Sequence, residues 1–338
     1  MFFSLKKKLM RRVMEKRNEQ HPFDCQSAER FALEAAADPV VNNSYYFSAH
    51  DKTLSFYARL GKRSNLEETW FFLYLEGRTY SLKQEFFPAG GAPVRVENTG
   101  GKWTVSYEGI LNETDQVRFR GTFIPSQQPI DFTTDMPAER MAVGIANERW
   151  NRAFFSELKT INGQCHYEQE GVLEGRLSLN GKEIDFRLPC VRDHSFGKRD
   201  WNQMNNHLWL MAVSSSVQFN YSLVSYPAIS VLEVGNYRDG EGQHFLRQAD
   251  LDFHQIGRGT IPGELSFHVK LDDLRALPVT ARVLTGTSYR FQDGQYILHE
   301  NIAEFVIDGN ACRGILEIGF NHDDSRFFNQ RDLRMIRR

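Results

Sequence analysis

Cysteine is scarce in this chain. There are four in 338 residues, Cys25, Cys165, Cys190 and Cys312, far apart and without a CxxC spacing. That pattern argues against a zinc knuckle or a redox dithiol, and its plain reading is reduced, partly buried thiols in a cytosolic protein. No apolar run is long enough to cross a bilayer, and the start lacks the continuous apolar segment of a secretory signal, so the expected location is cytoplasmic. No glycine-rich loop joins a strand to a helix, which leaves Rossmann and P-loop readings with little support. Net charge is also small, at -2. It is unevenly placed: the first twenty residues hold seven Lys/Arg and two Glu, or +5, leaving -7 for the rest. A broad nucleic-acid surface on the folded body is therefore not expected.

Aromatic residues are plentiful, at 13%, with 26 Phe and 12 Tyr. Such side chains fill large cores and line pockets for apolar ligands. At the N-terminus, Phe2, Leu5, Leu9 and Val13 recur at helical spacing, Met10 and Met14 widen that face, and basic residues crowd the flanks. This basic amphipathic segment, residues 1–24, reads either as a helix docking on an anionic membrane surface through residues 1–20, or as a helix packed on the body.

From Tyr45 the apolar period changes from helical to two. Hairpins are expected with turns near Asp51–Lys52, Glu76-Gly77, Asn180-Gly181, Asp293-Gly294 and Asp308-Gly309. Helices are expected at Ser27–Ala37 and within "AERMAVGIANERWNRAFFSEL", where Gly144 is a weak point. About six strands precede residue 130 and about ten follow residue 160, each set sufficient for its own barrel or half-barrel. The expected organisation is all-β. A first lipocalin-like unit spans 25–160 and a second spans 161–335.

Chemistry concentrates in "VRDHSFGKRDWNQMNNHLW". On an extended strand Arg192 and His194 share one face, while Asp193 and Ser195 share the other. Gly197 permits a bend that brings Lys198, Arg199 and Asp200 back towards the sheet. Two readings stand side by side. In one, Arg192, Asp193, Arg199 and Asp200 form a buried ion network that pins the segment. In the other, Asp193 or His194 faces a cavity as proton donor or acceptor. His207 and Trp209 share a strand face, and with Trp201 they form either a pocket wall or plain core. On "LHENIAEF", Glu300 and Glu304 fall together; a carboxyl held neutral in an apolar site can protonate an alkene or epoxide, whereas most strand glutamates face water. His166, Glu168 and Glu170 share a face without a third separated ligand, and "NHDD" at residues 321–324 reads as a solvated turn, so no metal is expected.

The runs "EQEGVLEGRLSLNGKEIDF", "VRDHSFGKRDW" and "HLW", with the late "CRGILEIGF", resemble the two-domain lipocalin-like superfamily. It holds the AttH-like proteins, the carotenoid 1,2-hydratases (hydroxyneurosporene synthases), related cyclases and the yeast survival-factor lipid-binding protein. The likeness is strongest to a bacterial-type branch with an RDHSxGxRDW motif and covers roughly residues 40–330. The resemblance implies two packed antiparallel lipocalin-like β-barrels and a hydrophobic terpenoid, polyene or lipid-like ligand, with no cofactor. It places Asp193, His194 and Trp209 near the junction and Glu317 on a late strand. The expected catalytic residues are Asp193, His194 and Glu317. Trp201, His207, Trp209 and Glu304 are the expected substrate contacts. A hydratase, cyclase or isomerase, a membrane-docking lipid carrier and an interaction scaffold with a filled interior are the functions left standing.

Overall fold

Alternating apolar residues over more than half the chain leave little choice but sheet, and the computed structural model is built of two β units. It describes residues 2–30, 41–82, 85–161, 163–253, 256, 261–291 and 295–322. The first unit contains β1 (Val41–His50), β2 (Leu54–Lys62), β3 (Leu66–Leu75), β4 (Arg78–Ser81), β5 (Phe86–Pro88), β6 (Val94–Thr99), β7 (Lys102–Leu111), β8 (Asp115–Pro125) and β9 (Ile130–Asp131), together with β10 (Gln164–Leu179) and β11 (Lys182–Lys198). These eleven strands form one antiparallel sheet in the order β4-β3-β2-β1-β11-β10-β8-β7-β6, with β5 on β3 and β9 on β10. The sheet curls until β6 lies against β2 and β3.

The second unit is a closed antiparallel barrel of β12 (Asn206–Val213), β13 (Gln218–Tyr226), β14 (Ile229–Asp239), β15 (Gly242–Ala249), β16 (Glu264–Leu271), β17 (Ala276–Phe291), β18 (Tyr296–Ile307) and β19 (Asn310–Asn321). Closure comes from the β12–β19 ladder, which sets Trp209 opposite Glu317.

The changeover between sheets falls at residues 199–205, not at 160. The expected second unit began too early because β10 and β11 form a local hairpin that reads the same in either sheet; pairing with β8 and β1 decides the matter. Most of the RDHSFGKRDW run therefore belongs to the first sheet, and its end is the crossing to the barrel.

Turn chemistry follows the sequence. Glu76-Gly77, Asn180-Gly181 and Asp308-Gly309 all adopt the paired positive φ of tight hairpins. The Asp293-Gly294 turn, residues 31–37 of the expected early helix and Asp323–Asp324 of the "NHDD" run lie outside the described residues. The described early helix is α2 (Cys25–Arg30). The single helix expected after residue 138 is two, α3 (Ala138–Asn147) and α4 (Arg152–Ile161). The break is not at Gly144. It comes where Glu148 turns extended and the Asn151 side chain caps α4 by accepting from the Phe154 N–H at 2.9 Å.

Three apolar layers result. Phe56, Phe71, Trp103 and Phe119 belong to the interior of the curled sheet. Leu208, Phe219, Phe267 and Leu316 belong to the interior of the barrel. The third layer, including Tyr46, Trp70, Trp201, Trp209, Tyr289 and Tyr296, joins one face of the sheet to the outer wall of the barrel. α1 (Phe2–Gln20) rests on α3, burying Met10 and Met14.

Candidate active site

The period of two assigns each side chain of the crossing region to a layer. On β11, Asp193 and Ser195 point into the seam between the units, and His194 points into the sheet interior, as strand alternation requires. On β12, His207 and Trp209 face the seam while Leu208 and Leu210 fill the barrel. On β19 the same alternation puts Glu317 in the seam between Leu316 and Ile318 of the barrel core. At the strand end, Gly197 has φ +122, and a Cβ there would meet the Gly163 carbonyl oxygen at 2.7 Å. Glycine is thus required where the chain leaves the sheet.

The seam is not solidly filled. A cavity of about 230 Å³ lies in it, walled from the sheet by Tyr46, Arg59, Trp70, His166 and Asp193 and from the barrel by His207, Trp209 and Glu317. Arg199 and Trp201 of the crossing segment line it too, as do Met141 of α3 and Glu157 of α4.

Two carboxyl–imidazole groups face this space. On the barrel side, His207 Nε2 lies 2.5 Å from Glu317 Oε1, and its Nδ1 lies 2.5 Å from the Tyr296 hydroxyl. Gly319 makes room for this imidazole, since a Cβ there would meet His207 Cε1 at 2.3 Å. Glu300 stands directly opposite Glu317 in the β18–β19 ladder and accepts a hydrogen bond from the Tyr46 hydroxyl. Burial pushes Glu317 up to about 7, although a hydrogen bond from Glu300 pulls it down, and burial together with the Glu317 charge holds Glu300 well above the carboxylate range. Burial pushes His207 down to about 3. At neutral pH the group therefore holds a neutral Glu300 and a neutral imidazole beside a Glu317 raised towards neutrality.

On the sheet side, His166 Nε2 lies 3.4 Å from Asp193 Oδ2 and 3.4 Å from Glu168 Oε1. Asp193 and Glu168 are ladder partners, so β10 and β11 present both acids to one ring. Burial opposes charge on His166, but Asp193 and Glu168 outweigh it and hold the imidazole above its usual value. Burial raises Asp193, against the pull of His166 and Arg199. Burial also carries Glu168 up to about 7, and the Asn220 amide donates to that carboxyl. Asn220 in turn accepts from Trp209 Nε1 at 3.3 Å, and His166 meets the Trp209 ring edge-on at 5.6 Å. The two groups can present a proton donor and an acceptor to one ligand from opposite walls.

Of the residues expected from the sequence, Asp193, Glu317, Trp201, His207 and Trp209 all line the cavity. Trp201 stacks on Phe291 with ring centres 4.2 Å apart. Two expectations are corrected. His194 does not face the ligand space: it stacks on Tyr45 at 4.4 Å, with Nδ1 2.8 Å from the Tyr167 hydroxyl and Nε2 2.8 Å from Asn43 Oδ1. Burial holds it neutral, with a pKa of about 3. Glu304 lies further along β18, bonded to Arg282 and to Arg313 at 3.3 Å, outside the cavity wall. Burial would raise its pKa, but the two arginines win and hold it below the usual carboxylate range.

The single ion network divides as well. Arg192 shares the His194 side, pairs with Glu29 at 2.6 Å and lies 4.5 Å over the Trp103 ring. Asp200 accepts from the Asn202 backbone N–H at 3.0 Å, fixing the turn that carries Trp201. Sequence reasoning gave no catalytic role to His166, Tyr46 or Arg59, and weighed Glu300 only alongside Glu304. Strand alternation marks His166 with Glu168, and Glu300 with Ile302; nothing local marks which face meets the seam. Among the described residues, the three side chains with metal-ligand spacing are His244, Asp272 and Asp273, within 4.8 Å of one another and outside the cavity wall.

Comparison with known proteins fits this architecture. A crystal structure from Nitrosomonas europaea, assigned as an AttH, superposes with a TM-score of 0.55 at 14% identity, covering 86% of this chain and 97% of the other. Kievitone hydratase from Nectria haematococca gives 0.49 at 12% identity over 83% and 89% of the two chains. CghA gives 0.48 at 9% identity over 84% and 89%. The likeness to the first of these establishes a shared fold. No curated protein matches the chain. A family model matches residues 31–322, most of the sequence, and on that match the chain belongs to the family described as the domain of unknown function DUF7064.

Proposed function

We propose that this protein is a cofactor-independent acid–base enzyme of the hydratase, cyclase or isomerase type, acting on a hydrophobic terpenoid, polyene or lipid-like small molecule. One observation carries the reading. Glu317 with His207 and Asp193 with His166 face the same aromatic-walled cavity from different sheets. A carboxyl poised near neutrality suits a general acid, because it is both partly protonated and willing to give the proton up. In the proposed mechanism Glu317 delivers a proton to an alkene, epoxide or carbonyl of the ligand. His207 holds that carboxyl in place. Asp193, steadied by His166, accepts a proton from the attacking water or from a neighbouring carbon. Trp201, Trp209 and Tyr46 shape the ligand and stabilise positive charge that develops on it.

The test begins with native mass spectrometry of the purified protein and extraction of any bound molecule. The recovered ligand is then returned to wild type, Glu317→Gln and Asp193→Asn. The reading expects conversion by wild type and a loss of about 10²–10⁴-fold in each variant, the usual worth of a positioned proton donor or acceptor. Equal conversion by all three would refute it.

A second reading, a ligand carrier that docks on anionic membranes, is favoured by α1. That helix turns Phe2, Leu5, Leu9 and Val13 outward, with Phe2 81% exposed, beside Lys8, Arg11 and Arg12. No described helix is long and apolar enough to cross a membrane, so contact through α1 would be peripheral. Flotation on phosphatidylserine vesicles at low salt, with and without residues 1–20, decides it. Docking predicts that only the full chain floats, and a full chain left in the soluble fraction removes the reading.

A further inference from the structure

The cavity wall contains a cation, Arg199, that has no carboxylate partner among the described residues. Arg199 follows β11 in the crossing segment and lies 5.2 Å over the Trp201 ring. Among the described residues no carboxylate comes within 4.0 Å of its guanidinium and no side chain hydrogen-bonds to it. The contrast with its neighbours is sharp. Arg59, on the facing wall, is matched by Glu68 at 2.8 Å, and Arg192 on the other side of the sheet by Glu29 at 2.6 Å. Asp193 and Glu317 act on Arg199 only at longer range, and Arg59 repels it. Burial disfavours its charge, yet the group keeps some exposure because the cavity reaches it.

A guanidinium removed from bulk water needs hydrogen-bond acceptors, and its planar fork fits two oxygens of one group. Here the guanidinium lines a space that is also walled by Trp70, Trp201 and Trp209. We infer that the ligand of this cavity carries an ionised oxygen, a carboxylate, enolate or phenolate, joined directly to an unsaturated or aromatic body, and that Arg199 holds that oxygen while the body lies along the tryptophans. The inference rests on the seam cavity being the ligand site, and it adds the polar end of the molecule that is bound there. It also gives Arg199 a positioning role: the anionic end fixes which carbon of the ligand lies before Glu317.

The test uses the full-length protein and two probe pairs, 2-naphthoate with its methyl ester and trans-cinnamate with its methyl ester, titrated calorimetrically at pH 7.5. Wild type should bind each acid at least tenfold more tightly than its ester. Arg199→Met should bring the acid-to-ester affinity ratio down to about one, and Arg199→Lys should keep part of the preference. Should Arg199→Met fail to fold, Arg199→Gln serves as the neutral variant with retained polarity. Equal binding of acid and ester, no measurable binding of either acid, or a preference that survives loss of the charge would each overturn the inference. These outcomes separate from the catalytic reading. A neutral ligand that is extracted and converted by wild type, but not by Glu317→Gln, would leave the acid–base site standing and remove Arg199 from it.

Discussion

His194 and His207 are both buried, both pressed down to about 3 and both bonded through each ring nitrogen, yet they occupy opposite sides of the molecule's chemistry. His194 is held between a phenol and an amide inside the curled sheet. Neither partner exchanges a proton near neutral pH. His207 is held between a phenol and the Glu317 carboxyl on the outer wall of the barrel. That carboxyl titrates at about 7 and faces a cavity. Burial and a depressed pKa therefore do not tell the two apart. Under the proposed mechanism, what sets His207 apart is a titrating partner with access to open space.

The largest expected effect separates the two histidines directly. His207→Phe should lower turnover of the recovered ligand by about 10²-fold, the low end for a group that orients an acid. His194→Phe should leave turnover per folded molecule within about threefold. It should instead lower the unfolding free energy by about 2–4 kcal/mol, because the Tyr167 hydroxyl and the Asn43 amide lose their buried partner. Steady-state rates and denaturant titrations on both variants check this. A turnover loss of similar size in both would erase the distinction.

A smaller effect concerns pH. Glu317 has a folded-state pKa of about 7, above its ordinary 4.5. Folding therefore favours its protonated form. Its contribution is intact below pH 4.5 and is lost as pH rises through 7. Gln cannot ionise, so Glu317→Gln should gain on wild type by on the order of 3 kcal/mol between pH 5 and pH 8. Glu304→Gln provides the control. Its carboxyl is held low by two arginines near the surface, so it should show no such gain over that range and a stability change below about 1 kcal/mol. Denaturant midpoints at the two pH values measure both; a flat difference for Glu317→Gln would mean that its carboxyl is not raised.

Much of this site is legible in the sequence, and the part that is not has one cause. Strand alternation separates Asp193 from His194 and groups His207 with Trp209, and the structure keeps both groupings. Alternation does not say which face meets the seam. That depends on β11 pairing with β1, more than a hundred residues earlier, and on the barrel wall arriving from β12 and β19. The same non-local pairing moved the sheet boundary beyond β11. Glu300 and Glu304 show a second limit. They share a face, but one lies deep under Tyr46 and Glu317 and the other at the arginine-rich end of the strand. Depth along a strand is set by packing that the local pattern does not contain. The crowding of charge, glycine and tryptophan in the RDHSFGKRDW run has a direct physical origin. The segment closes one sheet, crosses to the next and forms the wall between them.

The central claim is that Glu317 exchanges its proton with a ligand held in the seam. Deuterium incorporation into the extracted ligand, measured in D₂O for wild type, Glu317→Gln and His194→Phe together, tests it most directly. For an alkene ligand, which is protonated on carbon, the account predicts carbon-bound deuterium from wild type and His194→Phe and none above background from Glu317→Gln. Equal labelling by Glu317→Gln, or an unlabelled product of an alkene ligand from wild type, would contradict it.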